Sequence, residues 1–276
     1  MPELPEVETI RRQLNDKITG LTIIDCAVYL EKTVRKPSPE VFRNQIRGRK
    51  ILGVSRRGKY LLFSLDGGYS LIVHLRMTGQ LIWENDTEPL PRHTHLVFHL
   101  DRGRLRLTDL RQFARVSLLA AEECKKQAGL DKLGPEPLES EFSENYLAAV
   151  LQKSRRRLKP LLLEQQTVAG VGNIYADESL YRAGLHPNRV ASDLSIREAS
   201  ALYSAIKEVL QEGIAHRGTS LRNYVDADGR EGTHQDFLKV HGRAGRPCPR
   251  CNTPVQKIRL GGRGTYFCPE CQKEKL

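Results

Sequence analysis

No apolar run in the 276-residue chain approaches the roughly 18–20 residues needed to span a bilayer, so neither a membrane-crossing helix nor a membrane partner is expected. The chain also lacks a basic-then-apolar leader: its first residues, Met1-Pro2-Glu3-Leu4-Pro5-Glu6-Val7-Glu8, are acidic and carry two prolines. That beginning predicts a cytoplasmic, nucleoid-associated protein. There is no internal repeat and no low-complexity tract. Acid is the scarcer charge, with 33 Asp and Glu against 44 Lys and Arg, a net charge of +11 and a pI near 9.5. Such a balance calls for a polyanionic partner. Six cysteines in that compartment point to metal or free thiols over disulfides. The length exceeds the usual single domain and predicts two, each with its own core.

The first stretch supports two readings. If Met1 is removed, the chain begins with the secondary amine of Pro2 beside the carboxylate of Glu3. An α-amino group titrates near ~8 and a lysine near ~10.4, so a terminal amine offers far more free base at neutral pH, which suits a nucleophile. The structural reading is an amphipathic helix: Leu4, Val7, Ile10, Leu14 and Ile18 recur every three or four residues, and Gly20 ends the run. Pro5, Glu3, Glu6 and Glu8 suit its first turn. Packed on a core, that stripe would also fix the position of the terminus.

From about residue 21 to 120, short apolar runs alternate with turn residues. Ile24 to Leu30, Tyr60 to Leu65, Leu71 to Leu75, Leu96 to Leu100 and Val116 to Leu119 read as strands. Asp66-Gly67-Gly68 and Asp101-Arg102-Gly103 read as hairpin turns. An antiparallel sandwich or barrel is predicted. Charged residues that a β core does not need sit among these strands. Arg56-Arg57-Gly58-Lys59 is either an edge guarded by charge or a phosphate-binding corner. His74-Leu75-Arg76-Met77-Thr78-Gly79 ends another strand, with His74 a hydrogen-bonded structural residue or a ligand. His93, His95 and His99 lack the companions of a metal site. Asp109-Leu110-Arg111-Gln112-Phe113 is an ordinary loop with a buried Phe113, or a tip whose apolar side chain enters a duplex while an Arg faces a base.

Around Leu130 to Pro137 the period changes and two prolines interrupt, which places the domain boundary there. Ser143 opens a helix to about Lys153, followed by the basic cluster Arg155-Arg156-Arg157-Leu158-Lys159 and a short apolar helix at Leu161 to Leu163. Val168 to Glu178 is a glycine-rich turn into a helix that ends near Gly184, with Asn173 as its cap and free N–H groups suited to a phosphate. The alternative is a plain helix–helix turn. Ser195 and Glu198 form a capping box opening a helix with Leu202, Ile206, Val209 and Leu210 on one face. Asp226 to Gly245 reads as a long polar loop. Cys248, Cys251, Cys268 and Cys271 then form C-x₂-C-x₁₆-C-x₂-C, the spacing of a tetrahedral zinc site. Four Cys ligands leave no open position, so one structural zinc ion is expected. Between the knuckles the turn Gly261-Gly262-Arg263-Gly264-Thr265 presents an Arg that reaches a groove or lies in solvent.

In this order, the PELPEVE start, RRGKY, HLRM, DLRQF, GNIYADE and the GRGT turn inside a four-Cys finger closely resemble the formamidopyrimidine-DNA glycosylases, bacterial enzymes that remove oxidised purines. The match runs from Pro2 to Cys271. The resemblance implies an α+β chain: an N-terminal helix and antiparallel β-sandwich over residues 1–132, then a helical helix–two-turn–helix domain over 133–276 with the zinc ribbon at about 245–276. It implies a monomer acting on duplex DNA that holds an oxidised base or abasic site. The amine of Pro2 attacks C1′ and forms an iminium, Glu3 is the acid/base, and β- and δ-elimination follow. Lys59, His74, Asn173 and Arg263 match phosphate-holding residues, and Met77, Arg111 and Phe113 the triad that fills the void left by the extruded base. Lys159, in the basic cluster, is expected to bind DNA. Glu6 is a supporting carboxylate, and the loop from about Arg217 to Gly232 surrounds the flipped base. After Met77 stands Thr78, where some relatives carry an acid. Endonuclease VIII, which acts on oxidised pyrimidines, shares the architecture but begins differently and lacks the Met, Arg, Phe set. A non-catalytic zinc-ribbon DNA-binding protein would need no Pro2 and Glu3 pair.

Overall fold

The computed structural model describes residues 1–85, 89–127 and 129–274. The last two positions of the expected ribbon, 275–276, lie outside the described residues. The chain divides into two compact units, Met1–Asp131 with His216–Thr233, and Lys132–Ala215 with His234–Leu276.

The first unit opens with α1 (Leu4–Ile18). It buries the predicted stripe completely, Leu4, Val7, Ile10, Leu14 and Ile18 having no exposed surface. Two sheets follow. The four-stranded sheet has the order β1 (Ile23–Val28), β7 (Thr94–Leu100), β8 (Arg104–Asp109), β6 (Gly79–Glu84). The five-stranded sheet has the order β2 (Val34–Lys36), β9 (Arg115–Ala120), β5 (Tyr69–His74), β4 (Tyr60–Leu65), β3 (Ile51–Arg57). All pairs are antiparallel except β2 with β9. Helices α2 (Pro39–Ile46) and α3 (Ala121–Gln127) complete the unit. Val7 and Leu14 of α1, Phe42 and Ile46 of α2, Phe63 and Val116 of one sheet and Phe98 and Leu107 of the other share one core. The predicted turns at 66–68 and 101–103 join β4 to β5 and β7 to β8.

Helix α1 lies along β3 with its direction set by three contacts. Gly20 N–H donates to the Ile51 carbonyl (2.8 Å), Val54 N–H to Asn15 Oδ1 (3.0 Å) and Arg56 Nε to Glu8 Oε2 (3.1 Å). Moving up β3 is moving back along α1, so Pro2 and Glu3 lie toward the end of the sheet where β3 turns into β4. His74 pairs with Arg115 and Arg57 with Tyr60 at that same end. Gly79 pairs with Asp109 in the other sheet. Linkers 75–78 and 110–114 connect these pairs, so the turns of both sheets gather at one end of the sandwich.

The second unit holds α4 (Glu144–Gln152), α5 (Leu158–Leu163), α6 (Asn173–Arg182) and α7 (Ile196–Ala215), then β10 (Gln256–Leu260) and β11 (Arg263–Phe267). Ser143 caps α4, its hydroxyl accepting the Tyr146 N–H at 3.1 Å. Glu198 closes the box of α7 by accepting the Ser195 N–H at 2.8 Å. At α6 the cap is Gly172, and Asn173 is the first helical residue, which frees its amide for another task. The polar segment 238–241 is tied to α6: the buried Glu178 carboxylate accepts the N–H groups of Lys239, Val240 and His241 at 2.8–2.9 Å. Among the described residues no helix is long and apolar enough to cross a membrane.

Candidate functional site

In the first unit the N-terminal pair stands on a buried platform. Pro2 is buried and its nitrogen, here bonded to Met1, stands for the free secondary amine. Glu3, 2% exposed, is the N-cap of α1, and Glu6 accepts its N–H at 2.7 Å. The other Glu6 oxygen accepts the N–H of Thr219 at 2.8 Å, so one carboxylate joins the N-terminal pair to the loop 216–233. Sequence reasoning marked Glu6 as supporting but gave no sign of this link, because the partner is a backbone group 213 positions away. The Asp226 carboxylate fastens the rest of that loop, accepting from Gln13 Nε2 (2.9 Å) and from the N–H groups of Asp228 and Arg230.

The β3–β4 turn carries Lys59, which is almost fully buried. Arg56 holds this turn, its guanidinium donating both to Glu8 and to the Gly58 carbonyl (3.0 Å). Three Arg groups gather on Glu8. Their charge and hydrogen bonds outweigh its burial and hold its carboxyl below the ordinary range. At the end of β5, His74 packs edge-on against Tyr60 at 4.4 Å. Burial first, then the charges of Arg76 and Lys59, lower its imidazole to about 3. Its Nδ1 accepts the Arg76 N–H at 3.0 Å, so the neutral ring carries its proton on Nε2 as a donor. Met77 and Phe113 are exposed, against the burial an ordinary loop would give Phe113. Arg111 lies over the Phe113 ring at 4.9 Å.

In the second unit, Arg263 opens β11 directly after the two-residue turn Gly261-Gly262, both with positive φ, the hairpin geometry glycine permits best. The side chain of Arg263 is exposed. Its neighbour Gly264 is bolted down: the carbonyl accepts Lys159 Nζ at 2.9 Å and Asn173 Nδ2 at 3.1 Å. Lys159 has no exposed surface, and its ammonium also pairs with Asp177 (2.7 Å) and donates to Thr265 Oγ1 (3.0 Å). The structure therefore places Lys159 under the hairpin, away from solvent. Asn173 Oδ1 is buried with no hydrogen-bond partner among the described residues.

The four cysteine sulfurs lie within 4.8 Å of one another, and three of the gaps are 3.4–3.8 Å. A tetrahedron of Zn–S bonds near 2.3 Å has edges of about 3.8 Å, so these thiols fit one zinc ion. The Tyr181 hydroxyl donates toward Cys248 Sγ at 3.3 Å, and the Arg250 and Cys271 N–H groups point to knuckle sulfurs at 3.4 Å. Such contacts orient ligands and spread thiolate charge. Cys26 and Cys124 are buried outside this cluster.

Three family models match the chain in order: the formamidopyrimidine-DNA glycosylase N-terminal domain over residues 1–116, the H2TH domain of the same proteins over 133–225, and the zinc finger found in FPG and IleRS over 245–273. Together they define a zinc-finger DNA glycosylase architecture. The chain is 50% identical over its whole length to the formamidopyrimidine-DNA glycosylase of Desulforamulus reducens and 49% identical to that of Pelotomaculum thermopropionicum, covering all of each. Among solved structures it resembles Lactococcus lactis Fpg in complex with abasic-site DNA, with a TM-score of 0.94 and 39% identity over 99% of this chain and 100% of that one. The chain belongs to the formamidopyrimidine-DNA glycosylase family.

Proposed function

We propose that the chain excises oxidised purines such as 8-oxoguanine and formamidopyrimidines from duplex DNA, then cleaves the strand as an abasic-site lyase. The observation that carries this reading is the full-length identity of about half to proteins of that name. With Met1 removed, the Pro2 amine attacks C1′ and the glycosidic bond to the base breaks, Glu3 supplying the proton that the sugar oxygen or leaving base takes. Loss of the amine proton then lets the nitrogen lone pair break the C1′–O4′ bond, and O4′ takes a proton as the sugar ring opens to leave the iminium. Removal of the C2′ proton expels the 3′ phosphate, a second elimination expels the 5′ phosphate, and water releases Pro2. Glu6 holds the Glu3 backbone in place.

Lys59, the Nε2–H of His74, the Asn173 amide and Arg263 hold phosphates next to the lesion. Met77, Arg111 and Phe113 fill the vacated stack, which offsets part of the few kcal/mol that extrusion costs. Lys159 serves DNA indirectly, by fixing the Gly264 carbonyl behind Arg263, and the zinc holds the hairpin. We assign the chemistry to residues 1–132 and duplex binding to 133–276, with the loop 216–233 serving the catalytic part. The protein acts as a monomer in the cytoplasm, at the nucleoid where its substrate lies. A Lactococcus lactis relative has also been solved with DNA containing an oxidised pyrimidine, so lesion choice needs a direct comparison. Single-turnover cleavage of matched 8-oxoguanine and thymine-glycol duplexes makes it. Faster cleavage of the purine duplex is expected, and faster cleavage of the pyrimidine duplex would overturn the purine assignment.

A further inference from the structure

We propose that Asp109 is the positioning residue for the void-filling side chains: its carboxylate ties the tip bearing Met77 to the tip bearing Arg111 and Phe113, so that the three meet the duplex as one rigid wedge. The inference rests on the glycosylase reading above. Asp109 ends β8 and is 1% exposed. One oxygen accepts the N–H groups of Phe113 (2.6 Å) and Ala114 (2.7 Å). The other accepts the Arg111 N–H at 3.2 Å and the Thr78 hydroxyl, and the Arg111 N–H is shared with Thr78 Oγ1 at 3.2 Å. Thr78 is the residue directly after Met77. A single carboxylate thus receives four donors from two loops that belong to different strand connections.

The backbone of Asp109 is held as firmly as its side chain. Its N–H donates to the His93 carbonyl (3.0 Å), and its carbonyl takes His95 Nε2 (2.7 Å) and the Gln112 N–H (3.2 Å). Arg76 and Gln112, one in each tip, sit at positive φ, a conformation that persists only where neighbours enforce it. In the first tip the turn closes through Gly79 N–H to the Leu75 carbonyl at 3.1 Å, so close that a Cβ at position 79 would collide with that carbonyl. Met77 and Phe113 remain 38% and 42% exposed on this fixed backbone. An apolar wedge whose backbone is already ordered loses little entropy when it enters the stack.

The test compares base excision from an 8-oxoguanine duplex with strand cleavage of the same duplex carrying a preformed abasic site, where no base has to be expelled. Asp109→Asn removes one of the two acceptor oxygens, and Thr78→Val removes only the link between tips. We expect each variant to lose about tenfold or more in single-turnover excision while abasic-site cleavage changes by less than about threefold. A 2-aminopurine beside the lesion should show slowed unstacking in both. Should Asp109→Asn fold poorly by its melting transition, Thr78→Val carries the test with the same readouts. Equal losses on both substrates, or no loss on either, overturn the positioning role. Failure of the unmodified protein on both substrates would instead overturn the glycosylase reading beneath it.

Discussion

Lys159→Met separates a DNA contact from a buried support. The substituted side chain keeps its length but loses an ammonium that meets Asp177 at 2.7 Å, the Gly264 carbonyl at 2.9 Å and Thr265 Oγ1 at 3.0 Å, with no exposed surface. What remains is a buried Asp177 carboxylate with His241 Nδ1 at 2.7 Å. Breaking a buried pair from one side costs about 3–5 kcal/mol, chiefly through the stranded charge. Removing both charges should therefore restore part of the loss: in urea titrations Lys159→Met with Asp177→Asn should be more stable than the sum of the single changes by about 1–3 kcal/mol. The DNA readout runs the other way. A lysine on a phosphate would take about 0.9 from the slope of log K against log salt when removed, whereas a buried one leaves the slope alone and weakens binding through a displaced Arg263. A stable Lys159→Met protein whose salt slope falls by about one unit would refute the buried-support argument.

The neutral His74 makes stability depend on acid. Its folded pKa of about 3 lies below the ordinary imidazole value near 6.5, so below that value the unfolded chain binds a proton that the folded chain refuses. Stability then falls as pH drops from about 6.5 toward 3, by about 1 kcal/mol over the first unit, and the gap between wild type and His74→Gln in urea midpoints should shrink accordingly; a gap constant with pH would contradict it. Gly218→Ala strains a backbone at φ +82° and drives a Cβ to 2.9 Å from the Glu6 side chain. It should cost about 1–3 kcal/mol of stability and slow excision through Glu6, and an unchanged melting transition with unchanged rate would count against that reading. Stripping the zinc should disorder the hairpin and weaken DNA binding in step with metal content, so normal affinity after measured metal loss would separate Arg263 from the finger.

What was legible in the sequence was what local pattern determines. The α1 stripe, the Ser143 and Ser195 caps and the four-Cys spacing each specify their structure within a few residues, and each is found as read. Strand β8 went unread although Arg104, Leu105, Arg106 and Leu107 alternate faithfully. Its two arginines are buried because Glu84 on the neighbouring strand receives both, at 2.7–2.9 Å, and no local rule supplies that partner. The parallel pairing of β2 with β9 joins segments about eighty residues apart and leaves no turn signal between them. At the site, the residue types were visible but their tasks depended on distant backbone. Lys159 looked like one more charge of a basic cluster until Asp177 and Gly264 enclosed it. Asn173 passed from a cap to a brace because Gly172 took the cap. Asp109 read as the start of a loop; the N–H groups of Arg111, Phe113 and Ala114 are its near neighbours, but the Thr78 hydroxyl reaches it only because β6 pairs with β8.

Borohydride trapping on a duplex containing 8-oxoguanine opposite cytosine tests the central claim most directly. The account predicts a covalent protein–DNA product whose attachment maps by peptide mass to Pro2 in Met1-processed protein, and which disappears in Pro2→Ala or when a tag blocks the terminus. A product that persists in Pro2→Ala, or that maps to a lysine, would contradict the terminal amine as the nucleophile.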